Sequence, residues 1–232
     1  MKQFLAPSPT EIPDLVIPER EGGYAKGQEM REQILRAALI LLIEEGYRAM
    51  SMRRVAAMCG LKFGNLTYYY PSREDLVRDL LESVVRAYEI VFETIKGDAG
   101  LPPERRLAKL CRIILEDIRT KKTTRIFPEL WALSNHDRFV QERVNELYAR
   151  ARASFVEIIS EIRPDLRPEH HQVLALFLSA SMEGTTIFAG HGKPFEPHMP
   201  WLENLAIKSF IDLVSTIRPE EFDDGPLCLN RA

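Results

Sequence analysis

Three cysteines in 232 residues, Cys59, Cys111 and Cys228, are too few and too scattered for a disulfide framework or a cysteine metal cage. That usage suits a reducing compartment. Long apolar runs are missing as well. The longest, Ala37–Ile43, falls far short of the ~20 residues a membrane span needs. Met1–Ala6 meets prolines before it can build the apolar region of a signal peptide, so the expectation is a soluble, cytoplasmic protein. His170 and His171 are adjacent, hence about 100° apart on a helix and unable to share one metal. His191 and His198 flank a proline-rich loop, where a metal site is the minor alternative. The chain also lacks a phosphate loop, a nucleophile elbow and a His-Glu-x-x-His pair. No cofactor and no metal site are expected.

Strand alternation with hairpin signals is absent too, and what remains is helical punctuation. With 45% apolar residues and a net charge of -3, bulk disorder is excluded. Ile34, Ala37, Ala38 and Leu41 recur at helical spacing over residues 27–45, and Gly46 suits a left-handed stop. Ser51 can cap a short helix ending near Gly60, a second short helix covers Phe63–Tyr69, and Ser72 caps Arg73–Ile95. Further helices are expected at 103–119, 124–133, 137–162, 168–189 and 200–217, with Pro128 among the breaks. The fold class is therefore all-α. Residues 1–25, with Pro7, Pro9, Pro13 and Pro18, read as an extended, poorly ordered arm. Residues 219–232, with Glu220, Glu221, Asp223 and Asp224, read as an acidic tail.

One absence is local. From Gly46 to Arg73 there is no Asp or Glu, while Arg48, Arg53, Arg54, Lys62 and Arg73 are present. The window stands at +5, so a chain totalling -3 must carry -8 elsewhere. Such a face suits phosphates, because each cation near one releases condensed counterions. Chance composition is the bland alternative. Two short helices joined by Cys59-Gly60-Leu61-Lys62 have helix-turn-helix dimensions. Leu66 and Tyr70 can then face inward onto Val55, which turns Phe63, Gly64, Thr67 and Tyr68 outward.

The ordered run Ser51-Met52-Arg53-Arg54-Val55-Ala56-Ala57-Met58-Cys59-Gly60-Leu61, then Gly64 to Leu76, resembles the TetR-family signature. The resemblance covers residues 28–80 and includes Ile34 to Ala38 and Gly46-Tyr47. It implies a DNA-binding helix-turn-helix domain over 26–73 and a ligand-binding and dimerisation domain over 74–218. By position, Ser51 and Tyr69 would bond phosphates, and Arg73 would pair with one at the start of the fourth helix. Arg53, Phe63, Gly64, Thr67 and Tyr68 would approach bases, with Arg54 and Lys62 as nearby cations. Lys62 stands where the family commonly has a capping Ser, and Thr67 where Tyr is commonest. The first change removes a cap worth about 1 kcal/mol. The second leaves a methyl and a hydroxyl for base edges.

The resemblance further implies a homodimer and a small-molecule cavity. Residues 168–189 are apolar on nearly every side, which calls for burial on nearly every side. Their small face, Ala180, Ser181 and Gly184, together with Trp201, Leu205 and Phe210, is the expected dimer interface. An interior helix of one subunit is the alternative. Phe127, Trp131, Tyr148, Phe177 and Glu183 are the expected cavity lining, with Glu129 beside them in the sequence. A carboxylate within aromatic walls suits a cationic or quaternary ammonium ligand. Equally, Glu183 can pair with an arginine across the interface. The combined expectation is a repressor released from a palindromic double-stranded operator by an effector. An all-α enzyme with Glu183 or Glu129 as a buried acid, and a helical protein-interaction module, are the alternatives.

Overall fold

The computed structural model describes residues 12–18 and 25–223. Among the described residues all regular structure is helical: α1 (Ala25–Glu45), α2 (Met52–Met58), α3 (Phe63–Tyr69), α4 (Arg73–Lys96), α5 (Pro103–Ile118), α6 (Lys121–Ser134), α7 (Arg138–Ile162), α8 (Pro168–Ala189), α9 (Met199–Thr216) and the single turn α10 (Glu220–Asp223). The starts are set by side-chain caps. Ser51 accepts from the Arg54 amide, Ser72 from Asp75 and Asp137 from Val140, each satisfying a first-turn N–H. Thr120 does the same for Thr123, and so α6 begins earlier than apolar spacing alone indicates. Pro128 lies inside α6 rather than at a break; it leaves the Thr124 carbonyl without its usual i+4 donor.

Two apolar clusters organise the packing. One joins α1, α2, α3 and the first half of α4, and extends to Ile126 and Leu130 of α6 and Val140 and Val144 of α7. The other joins the second half of α4 with α5, α7, α8 and α9. Helix α4 belongs to both, so it is the shared beam between the N-terminal helices and the rest.

The expected loose arm is a bound strap where it is described. Ile12–Pro18 is extended, but Ile12 is buried in one cluster and Leu15 in the other. The Val16 amide donates to the Ser83 carbonyl of α4 at 2.9 Å, and the Pro18 carbonyl accepts from Arg31 of α1 at 3.1 Å. Prolines forbid helix there, yet they do not prevent apolar side chains from docking. Residues 1–11, 19–24 and 224–232, which hold the rest of the expected arm and most of the acidic tail, lie outside the described residues.

Within a single chain, helix α8 is buried along one flank only. Leu174, Ala175, Leu178 and Met182 are buried, but Val173, Leu176, Phe177, Ile187 and Phe188 are exposed on its other flank. By length and apolar content α8 alone, among the described residues, passes the test for a membrane span; its buried side is committed to the helical core. Trp201 (73% exposed) and Leu205 (64%) of α9 extend this open apolar surface.

Candidate DNA-facing helices and candidate cavity

Helices α2 and α3 are held at a tight turn. Gly60 sits at φ +66°, the left-handed region open to glycine, and the Leu61 amide donates back to the Ala56 carbonyl at 2.8 Å. Val55, Ala56, Leu66 and Tyr70 are buried, which fixes the inner faces against α1 and α4. The Tyr70 hydroxyl donates to Asp79 at 2.5 Å, and Asp79 also receives Arg31 at 2.8 Å. Arg31 is buried, so this pair ties α1, α3 and α4 in a region where charge must be matched.

The outer side carries Arg53, Lys62, Phe63, Gly64 and Tyr68, all exposed, with Tyr68 at 83%. Tyr69 and Thr67 are half-buried beside them. The Arg53 guanidinium lies over the Phe63 ring at 5.9 Å, which keeps an exposed aromatic and a cation together. The Thr67 hydroxyl donates to the Gly64 carbonyl of its own helix at 2.9 Å, leaving its oxygen lone pairs and methyl for another partner. Ser51 is occupied as the cap of α2, and Lys62 precedes α3 without any side-chain cap. Arg48 and Asn65 are exposed on this domain as well. Asn65 was missed among the expected readers, although it sits one residue beyond Gly64 and three before Tyr68.

Two cations of the acid-free window are already spent. Arg73 donates to the Met50 carbonyl at 3.1 Å and the Tyr47 carbonyl at 2.5 Å, and its guanidinium stacks 4.0 Å from the Tyr47 ring. It therefore locks the α1–α2 connection to α4, where a phosphate contact was expected. Arg54 makes a two-pronged pair with Glu45, at 2.7 and 2.5 Å. Glu45 is the residue just before the acid-free window, so the +5 read from sequence overstates the charge this face presents. Glu129 is also reassigned. Its carboxylate accepts the Tyr47 amide at 2.7 Å and lies against Gly46, where a Cβ would come within 2.9 Å of it. Gly46 is at φ +86° too, so both its backbone and its surroundings require glycine.

The second constellation lies among α4, α5, α6, α7 and α8. A small cavity, partly open to solvent, is walled by Tyr88, Phe92, Phe127, Tyr148 and Phe155 with Val85, Leu147 and Met182. Of the expected lining, Phe127, Tyr148 and Glu183 are there. Trp131 stands behind, donating from Nε1 to the Tyr148 hydroxyl at 2.8 Å. Phe177 is not there; it is half-exposed on the outer flank of α8. Phe210 moves the opposite way, from the expected interface into the chain's own core.

The carboxylates in the cavity wall are matched with one exception. Asp117 accepts the Tyr88 and Thr123 hydroxyls, each at 2.5 Å, and Lys122 lies 3.4 Å away. Glu89 is paired with Arg150 at 2.6 Å. The Tyr148 hydroxyl lies close to Glu183, and Glu183 Oε2 is sealed from solvent without a partner. Burial pushes the Glu183 carboxyl up to about 7, with the Tyr148 hydroxyl opposing the shift and the Asp117 charge adding to it. Burial likewise raises Tyr88 and Tyr148, so both phenols stay neutral.

Comparison with known proteins decides the family. Residues 34–80 match the profile of bacterial regulatory proteins of the tetR family, and residues 103–198 match the C-terminal part of BetI-type transcriptional repressors. The chain belongs to the TetR family. Its relatives include the HTH-type transcriptional repressor KstR of Rhodococcus jostii, 31% identical over 131 residues, which cover 53% of this chain and 60% of that one. Against the curated relatives it matches, the chain spans from 45% to 66% of their length. The TetR fold is shared with a putative TetR-family transcriptional regulator from Mesorhizobium loti, at TM-score 0.67 and 14% identity over 82% of this chain and 98% of that one. A putative transcriptional regulator from Saccharomonospora viridis in complex with choline overlays at TM-score 0.62 and 21% identity, covering 78% and 96%. The BetI-type match contains Asp117, Thr123, Tyr148 and Glu183 of the cavity wall, while the TetR match contains all of α2 and α3.

Proposed function

We propose that this protein is a homodimeric transcriptional repressor that binds a palindromic operator through α3 and is released from it by a small molecule. The observation that carries the reading is α3 itself. Its inner side is fixed by Leu66 and Tyr70, while its outer side presents Phe63, Gly64, Asn65 and Tyr68 beside Arg53 and Lys62. A short helix held this way fits a major groove, with its side chains on base edges and nearby cations on phosphates. Ser51, Tyr69 and Arg48 are the proposed phosphate contacts at its edge, and Thr67 a base contact through its methyl.

The open apolar surface of α8 and α9 supports the dimer. Val173, Leu176, Phe177, Ile187, Phe188, Trp201 and Leu205 are all more than half exposed in one chain, with Ala180 and Gly184 exposed between them. Patches of this kind mark protein contacts, and a two-fold pair buries the same patch on both copies. Such a dimer sets two α3 helices about one DNA turn apart. The cavity supports the release step: α4 runs from Arg73 at the α1–α2 connection to Tyr88 and Phe92 in the cavity wall. A ligand that binds one tilt of α4 better shifts the population to that tilt, by no more than its differential affinity. A regulator of this kind works where the chromosome is, in the cytoplasm.

Sedimentation of the full chain, followed by titration onto the palindrome near its own gene, tests the reading. Two chains per operator are expected. A Phe188→Glu/Trp201→Glu variant should sediment as a monomer and lose operator binding. A monomeric wild type, or a variant that still dimerises and binds, contradicts the proposal.

A further inference from the structure

We propose that the cavity takes a protonated amine, a small organic cation that keeps an N–H, and that Glu183 Oε2 accepts that hydrogen. The inference rests on the ligand-responsive reading above and narrows its effector to a chemical class. Elimination among the cavity's carboxylates leaves Glu183. Asp117 already receives two hydroxyls and lies beside Lys122, and Glu89 is held by Arg150. Of the carboxylates in the lining, Glu183 alone has an oxygen sealed from solvent with no donor. The lining contains no lysine or arginine. A buried carboxylate oxygen needs both a counter-charge and a hydrogen.

Three ligand types separate on that need. A quaternary ammonium supplies charge to the aromatic walls but has no N–H for Oε2. An alcohol supplies a hydrogen but no charge. A protonated amine supplies both, and the faces of Tyr88, Phe92, Phe127, Tyr148 and Phe155 add cation–π attraction to its charge. Trp131 takes part at one remove. By donating to the Tyr148 oxygen it fixes that hydroxyl beside Glu183, whose Oε2 stays open.

Protonation of Glu183 competes with the amine. The charged and titratable groups around it are Tyr88 and Glu89 on α4, Asp117 on α5, Lys122 on α6, and Tyr148 with Arg152 on α7. With the empty-site carboxyl at about 7, amine binding is strongest above that pH and weakens as the pH falls below it, because the proton must leave first.

The test is calorimetric titration of the full-length protein with benzylamine, benzyltrimethylammonium and benzyl alcohol, three ligands on one frame, at pH 8 and pH 6. Benzylamine should bind about tenfold or more tightly than either analogue at pH 8, and its advantage should shrink at pH 6. Glu183→Gln should abolish the preference while leaving benzyl alcohol binding in place, which shows that the cavity is still formed. Glu183→Asp should keep part of the preference. Benzyltrimethylammonium or benzyl alcohol binding as tightly as benzylamine, or Glu183→Gln leaving benzylamine unchanged, overturns the proposal; so does failure of all three to bind. Operator binding by the ligand-free protein decides the regulator reading separately.

Discussion

The DNA-facing helices and the cavity treat charge in opposite ways. Around α2 and α3, Arg48, Arg53 and Lys62 are open to water, Arg54 is matched by Glu45 from outside the acid-free stretch, and Arg73 is held by carbonyls within it. In the cavity wall, charges are sealed and matched at close range, and a single carboxylate oxygen is left over. Surface charge can be traded at little cost because water solvates what is unpaired. Charge in the cavity wall cannot, so the one carboxylate oxygen left over there calls for a donor. Between the two regions lies a third arrangement, Arg31, Asp79 and Tyr70, interior in its burial but belonging to the DNA-facing half.

That third arrangement offers the largest expected effect. Arg31→Met keeps the side-chain length and removes the buried ion pair between Arg31 and Asp79. Unfolding stability should drop by about 3 kcal/mol. A loss below about 1 kcal/mol in denaturant titration would show that this interior pair behaves like a surface one.

Next comes the cavity carboxylate. The Glu183 carboxyl is raised from 4.5 to about 7 in the folded chain, so the fold favours its neutral form. Its stability penalty is absent below about pH 4.5, grows as the pH rises, and is complete above about 7. Across that window the penalty amounts to about 3 kcal/mol. Glu183→Gln should remove it, so the variant should be more stable than wild type at pH 8 and nearly equal to it at pH 5. Thermal melting at the two pH values measures the crossover; parallel curves would mean that Glu183 is already compensated.

The smaller effects compare two arginines of the same window. Arg73→Ala removes two carbonyl bonds and a ring contact, and should cost about 1–3 kcal/mol of stability together with operator affinity. Arg54→Ala, by contrast, should leave the melting temperature unchanged, because both partners of its ion pair are exposed. If Arg73→Ala weakens the operator complex without moving the melt, its guanidinium serves phosphate after all.

Much of this was readable in the sequence, and the misses have physical causes. Ser51, Ser72 and Asp137 announce helix starts because capping is local, and Gly46 and Gly60 announce stops for the same reason. Leu66 and Tyr70 could be turned inward by spacing alone. Glu129 could not be placed, because it satisfies an amide 82 positions away. Phe177 and Phe210 were misassigned because α8 and α9 are apolar on both flanks, so periodicity cannot tell core from open face. The charge count failed at its edge: a window defined by sequence omitted Glu45, which space puts beside Arg54.

The most direct test of the central claim is the salt dependence of operator binding by the full chain. Two copies presenting Arg48, Arg53 and Lys62 predict a log–log slope near about -5, and Arg53→Ala/Lys62→Ala should make it shallower by about 4 units. Operator affinity insensitive to salt, or a variant with the wild-type slope and affinity, would contradict the assignment of α2 and α3 to DNA.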